Sequence, residues 1–340
     1  MDIHLHTYLL KLKHHFKIAR DERSVQPTLI VELSDGKISG YGEATTNTYY
    51  GITYENMSEV LTKASDVLKN YSFATPAQLW EDLKHIFYNN SFAQCALDEA
   101  AYDYYAQKLG KPLYRVWNLD LSTMPQTNYT IGIDTIENMV NKLREMPWNL
   151  YKIKLGTPHD IEIVKALRQH TQARFRVDAN CGWGVEETIR NSHELKKLDV
   201  EFIEQPLKAD NWEGMEEVYQ HSALPIIADE SCIKEGDVER CFGYFHGINI
   251  KLMKCGGITP ALRMIQKARH LNMKVMLGCM TESSVGTSAI AHLAPMIDYV
   301  DMDGPLLISN DIAEGVKLNM EGTIFPPRNG LGVVLFPNSH

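Results

Sequence analysis

Apolar and polar residues alternate from about residue 3 to 10 and again from 26 to 33, and Ser34-Asp-Gly36 turns the chain into Ile38-Ser-Gly-Tyr-Gly42. Successive strand side chains point to opposite faces, so this pattern predicts a meander of antiparallel strands. The polar residues 17–24 between the first two strands predict a loop, and residues 45–53, with Tyr49-Tyr-Gly51, predict another. Helical spacing runs from Tyr54 to about Lys69 and from Gln78 to Tyr88. It is clearest over residues 91–109, where Ala96, Leu97, Ala100, Ala101 and Tyr104 form one stripe and Gly110 and Pro112 give the stop. Strands followed by helices predict an α+β domain over residues 1–122.

After Pro125 the rhythm changes. Short apolar runs near residues 129, 152, 176, 202, 227, 249, 275 and 300 alternate with helical patterns. Eight such units predict an α/β fold, a parallel (β/α)8 barrel over residues 123–307. A doubly wound sheet is the rival, but no G-x-G-x-x-G follows the first strand, and charged residues close successive strands instead of marking one switch point. From Ile308 the βα period is lost, and residues 308–340, rich in Pro and Gly near Phe325-Pro-Pro-Arg-Asn-Gly-Leu-Gly332, are predicted to pack back on the N-terminal domain.

The strand ends carry the chemistry. Lys152 and Lys154 share one face of their strand, which is costly unless anionic groups meet them. Asp178, Glu204 and Asp229 each close a later apolar run, and Lys251 closes the next. Parallel strands of a barrel bring these ends to one mouth. Three convergent carboxylates without Cys or His are the ligand set of a hard cation, so one Mg2+ per subunit is expected in preference to Zn2+. Lys154 on the second strand and Lys251 on the sixth would then approach a bound carboxylate from opposite sides. Burial and neighbouring positive charge can bring a lysine toward the pKa a base needs, and Mg2+ would stabilise enediolate oxygens once an α-proton is removed. Lys254 is expected to pair with Glu230.

Composition narrows the function classes. The chain has 34 Lys and Arg against 43 Asp and Glu, a formal charge of −9, which argues against a nucleic-acid partner. No apolar run approaches the length that spans a bilayer, and the N-terminus begins with an acid where a secretory leader would be basic. The six cysteines contain no C-x-x-C pair. A soluble, cytoplasmic protein acting on a small molecule is the expectation, and a homo-oligomer is compatible with it. The 13 histidines offer no metal-site spacing, and no P-loop or G-x-S-x-G elbow is present.

Lys152-Ile-Lys154, Asp178, Glu204, Asp229 and Lys251 together resemble the muconate lactonizing enzyme subgroup of the enolase superfamily, over the whole chain. That resemblance implies an N-terminal capping domain whose two loops close the barrel mouth. The subgroup includes cycloisomerases, o-succinylbenzoate synthases, N-acyl amino acid racemases and dipeptide epimerases. Asp301-Met-Asp303 looks like the Asp-x-Asp motif with which dipeptide epimerases hold the substrate's α-ammonium group, and 249–257 and 278–282 also look like the epimerases. The implied activity is a Mg2+-dependent dipeptide epimerase of the L-Ala-D/L-Glu type, with Lys154 and Lys251 as bases, Lys152 in support, and Thr130 and Met280 as further substrate contacts. The alternatives are epimerases of hydrophobic or cationic dipeptides, o-succinylbenzoate synthase, and a muconate-type cycloisomerase. In L-Ala-D/L-Glu epimerases a first-loop arginine takes the glutamate side chain. An ungapped match from Phe16 sets Asp21 there, with Arg20 and Arg23 as the nearby candidates.

Overall fold

The computed structural model describes residues 1–18 and 21–337. An antiparallel sheet of β1 (Asp2–Ile18), β2 (Asp21–Ser34) and β3 (Ser39–Thr45) opens the chain and is followed by α1 (Tyr54–Leu68), α2 (Pro76–Leu83) and α3 (Ser91–Lys108). Most of the segment expected as a loop at 17–24 is strand instead: β1 and β2 pair from Asp2↔Ser34 to Ile18↔Asp21, with a bulge between Lys11 and Phe16. Because β3 reaches only as far as Thr28 of β2, the tip is a two-stranded ribbon open to water. Most of the described side chains there are polar and exposed, so little apolar alternation marks the segment. Its charges pair across the strands, His15 to Glu22 at 2.6 Å and Lys17 to Glu22 at 3.6 Å.

The apolar stripe of α3 lies under β3 so closely that a Cβ on Gly40 would come within 2.1 Å of Ala100 O, and one on Gly42 within 2.1 Å of Ala96 O. Only glycine permits that approach. The same helix satisfies amides along β3: Tyr41 N donates to Asp103 Oδ2 at 2.9 Å and Glu43 N to Glu99 Oε2 at 3.0 Å. Asp103 also accepts from Leu331 N at 2.7 Å, which ties the C-terminal segment to this unit.

The second sheet has eight parallel strands in sequence order: β4 (Tyr129–Ile131), β5 (Leu150–Lys154), β6 (Arg174–Asp178), β7 (Val200–Glu204), β8 (Ile226–Ala228), β9 (Gly247–Lys251), β10 (Lys274–Gly278) and β11 (Tyr299–Asp301). A parallel bridge between Thr127 and Val300 joins the two ends, so the barrel is nearly closed. A helix lies in each gap between consecutive strands. Inside, Arg176 lies over the rings of Phe202 and Tyr299, at 5.2 and 5.0 Å, and Ile227 and Met276 pack in the same layer. Each of these stands two residues before a strand-end position, so the period of two that fills the barrel also aims Asp178, Glu204, Asp229 and Asp301 at its mouth. Among the described residues no helix is long and apolar enough to cross a membrane.

One buried histidine gives the fold a pH dependence. His292, 1% exposed, accepts from Tyr114 N at 3.0 Å through Nδ1 and stacks on the Tyr114 ring. Burial lowers its pKa from 6.5 to about 4. The unfolded chain therefore binds a proton that the folded chain refuses, and His292 contributes stability that is present above pH 6.5 and lost as pH falls toward 4. The loss should reach roughly 3 kcal/mol. His292→Asn keeps an acceptor for Tyr114 N and does not titrate, so urea midpoints at pH 7 and 4.5 should fall further for the wild type than for the variant. Equal falls would exclude the histidine.

Candidate active site

Six strand ends meet above the barrel. Lys154 Nζ, at the end of β5, lies 2.7 Å from Asp178 Oδ2 at the end of β6. Lys152, two residues back on the same face, is 1% exposed and contacts three carboxylates: Asp178 at 3.2 Å, Glu204 at 2.7 Å and Asp301 at 2.8 Å. Across the mouth, Lys251 Nζ at the end of β9 is 2.9 Å from Asp229 Oδ2. Asp178, Glu204 and Asp229 are fully buried, and one oxygen from each lies within 4.8 Å of the others. Such a set, all carboxylate and all convergent, fits a hard divalent cation. Glu204 Oε2 supports this: it is buried, with Lys152 beside it at 2.7 Å but no well-directed hydrogen bond, so it retains a lone pair to offer.

Charge balance explains how three buried acids stand together. Burial works to raise Asp178, but Lys154 and Lys152 hold it below its ordinary range. Asp229 is held well below its range against burial by Lys251 and Lys254. Glu204, buried and beside Asp178, is pushed up to about 7. Burial alone would lower Lys152, yet Asp301, Glu204 and Asp178 hold it well above its usual value, so it remains a cation. Lys251 is likewise raised, Asp229 outweighing burial.

Lys254 corrects the sequence reading. Its partner is Asp229 Oδ1 at 2.5 Å, not Glu230, and it also donates to the carbonyls of Asp229 at 2.6 Å and Cys232 at 3.0 Å. Residues 252–255 form a single helical turn after β9, which carries Lys254 back over the end of β8.

Asp301 and Asp303 line the same cavity of about 320 Å3, as do Thr130, Met280 and Arg23. Asp301 accepts from Asn128 Nδ2 at 2.7 Å, and Asp303 from Thr130 N at 2.5 Å. Burial and the Asp301 charge push Asp303 up to about 8, so the pair holds less negative charge at neutral pH than two free acids and gains it when a cation arrives. Arg23 donates to Gln26 Oε1. Arg20 and the Asp21 side chain lie outside the described residues. The second loop supplies Asn47, Thr48, Tyr49 and Tyr50 to the cavity.

Two supporting residues were not singled out from sequence. Asn249 donates to Glu204 Oε1 at 2.7 Å. It stands two residues before Lys251 on β9, the same relation as Lys152 to Lys154, and that spacing was the available signal. Gln205, in the left-handed region with φ of 34°, accepts from Asp229 N at 2.9 Å and Ser231 N at 3.1 Å and so sets the end of β8. A left-handed non-glycine residue leaves no trace in the sequence.

Residues 135–338 match the enolase C-terminal domain-like family, and residues 3–117 match the mandelate racemase/muconate lactonizing enzyme N-terminal domain. The chain belongs to the enolase superfamily. Among enolase-superfamily relatives, the chain is 56% identical over 335 residues to an L-Ala-D/L-amino acid epimerase of Flavobacterium johnsoniae, covering 98% of this chain and 100% of that protein. Its structure is similar to a dipeptide epimerase of Cytophaga hutchinsonii complexed with Mg and D-Ala-L-Val, at TM-score 0.93 and 29% identity over 99% of this chain and 96% of that one. A substrate-liganded L-Ala-D/L-Glu epimerase of Bacillus subtilis gives TM-score 0.92 at 27% identity, covering 98% and 99%.

Proposed function

We propose that the protein is a Mg2+-dependent dipeptide epimerase that inverts the α-carbon of the C-terminal residue of L-alanyl dipeptides. The observation that carries this reading is the placement of Lys154 and Lys251 on β5 and β9, four strands apart in a barrel of eight, on either side of one three-carboxylate site. Asp178, Glu204 and Asp229 would hold the cation. When bound there, it would polarise a substrate carboxylate and offset the negative charge that develops as the α-proton leaves. Lys154 Nζ takes a proton from one face of the α-carbon while Lys251 Nζ returns one to the other, and the reverse direction exchanges the roles. Lys152 stays protonated and keeps the acids compatible with burial. Asp301 and Asp303 receive the dipeptide's ammonium group.

The name of the Flavobacterium relative supports a class of L-Ala-D/L-amino acid substrates broader than one dipeptide. L-Ala-D/L-Glu belongs to that class, and Arg23 in the cavity wall is suited to an acidic side chain. A cycloisomerase or o-succinylbenzoate synthase is disfavoured, because a dicarboxylate substrate gains nothing from two acids in its cavity. In this reading residues 1–122 with 308–340 cover the catalytic unit 123–307. Incubation of L-Ala-L-Glu and other L-alanyl dipeptides with Mg2+ in D2O should introduce deuterium at the C-terminal α-position, as followed by proton NMR. Chelator should stop the exchange and added Mg2+ restore it. No exchange with any member of the panel would refute the reading.

A further inference from the structure

The cavity is walled by two segments that belong to different parts of the chain: residues 47–50, which follow β3, and residues 279–281, which follow β10. They meet where Asn47 Nδ2 approaches Met280 Sδ at 3.8 Å. Just behind that meeting point stands Glu43, near the end of β3, fully buried and absent from the cavity lining. Its carboxyl group reaches across to the barrel. Oε2 accepts from Ser283 Oγ at 2.5 Å and Gly286 N at 3.0 Å, Ser283 N lies 3.1 Å from both oxygens, and Oε1 accepts from Thr28 Oγ1 at 2.8 Å.

Ser283 and Gly286 open the helix Ser284–Leu293, whose first amides have no partners within the helix. Ser284 N is met by Asp311 Oδ1 at 3.1 Å and Val285 N by Ser283 Oγ at 3.1 Å, and Gly286 N depends on Glu43. A Cβ at Gly286 would fall 2.3 Å from Glu282 Oε2 and 3.3 Å from Glu43 Oε2, so a glycine is needed for the two carboxyl groups to converge there. One side chain of the N-terminal sheet thus caps a barrel helix directly after one cavity wall, and sits four residues before the other.

We propose that Glu43 is a positioning residue: it holds the two cavity walls in register, so that substrate affinity depends on a side chain that touches no substrate. The lysines and carboxylates stand on barrel strands that Glu43 does not contact, so the chemical step is spared. The kinetic arm of the test rests on the dipeptide-epimerase reading, whereas the exchange arm does not.

Glu43→Leu removes every acceptor and should raise KM for the dipeptide by about tenfold or more with kcat within about threefold, the pattern of lost uniform binding. Glu43→Gln keeps an oxygen for Ser283 and Gly286 and can turn its NH2 to Thr28 Oγ1, and should return KM to near the wild-type value. Ser283→Ala, which weakens the contact from the barrel side, should raise KM by a smaller factor and keeps the proposal testable if Glu43→Leu does not fold. An unchanged KM in folded Glu43→Leu or in Ser283→Ala, a fall in kcat alone, or failure of Glu43→Gln to restore KM would overturn it. If the wild type epimerises no dipeptide, the functional reading fails and amide exchange decides the matter: residues 45–52 and 279–287 should exchange faster in Glu43→Leu, or in Ser283→Ala if Glu43→Leu does not fold, while the barrel strands do not. Uniform acceleration, or none, would overturn the proposal.

Discussion

Replacing Lys251 by alanine should abolish epimerisation in both directions while leaving α-proton exchange with solvent for one epimer of the dipeptide, and replacing Lys154 should leave exchange for the other. A general base or acid contributes about 10²–10⁴-fold, so conversion between epimers should fall by at least about 10²-fold in each variant. Neither replacement strips a carboxylate of its last cation. Without Lys251, Asp229 still has Lys254 at 2.5 Å, and without Lys154, Asp178 still has Lys152 at 3.2 Å. The variants should therefore fold, and the lost step can be read as chemistry. Proton NMR in D2O distinguishes the outcomes. If both epimers exchange in either variant, the missing lysine is not one of two bases, and if neither exchanges, the two lysines do not act on separate faces.

The parts of this site that were legible in the sequence are those imposed by strand periodicity. A barrel strand must alternate, so a charged residue closing an apolar run has only one place to point, and Lys154, Asp178, Glu204, Asp229 and Lys251 follow from that alone. What was not legible depends on turns and on distant chain. Lys254 stands three residues beyond Lys251, and only the helical turn at Leu252–Cys255 brings it to Asp229 and not Glu230. The strand pairing of residues 17–18 with 21–22 was hidden because the neighbouring side chains are mostly charged and exposed, so they resemble those of a loop. Glu43 meets Ser283 across 240 residues of sequence, and a lone glutamate in Gly40-Tyr-Gly-Glu43 carries no mark of that partner. Its two glycines do reflect a constraint, the close approach to α3, but that constraint concerns packing and says nothing of the cavity.

Lys152→Met should cost the protein about 3–5 kcal/mol of stability, the range for removing one member of a buried ion pair and leaving the other charged. The methionine fills much of the lysine's volume, so a cavity adds little to the loss. What remains is Glu204 with a hydrogen bond from Asn249, Asp301 with one from Asn128, and Asp178 with Lys154 and the Asn180 amide. The pH dependence identifies the cause. Burial works to raise Asp301, but Lys152 holds it at about 2, below the ordinary 3.8. A depressed acid contributes stability that is present above its unfolded pKa and lost as pH falls through the folded one. Without Lys152 that contribution disappears, so the gap between wild type and variant should be widest at neutral pH and narrow on acidification, when the carboxyl groups accept protons. Mg2+ binding at Asp178, Glu204 and Asp229 would supply positive charge by another route, and the native state alone offers that site, so added Mg2+ should recover part of the loss. Chemical denaturation at pH 7 and at pH 3, which lies between the unfolded and folded values of Asp301, together with a comparison at pH 7 with and without Mg2+, tests all of this. A gap that does not change with pH would mean that Lys152 acts by packing and not by charge, and full stability at pH 7 would show that the three carboxyl groups are neutral without it.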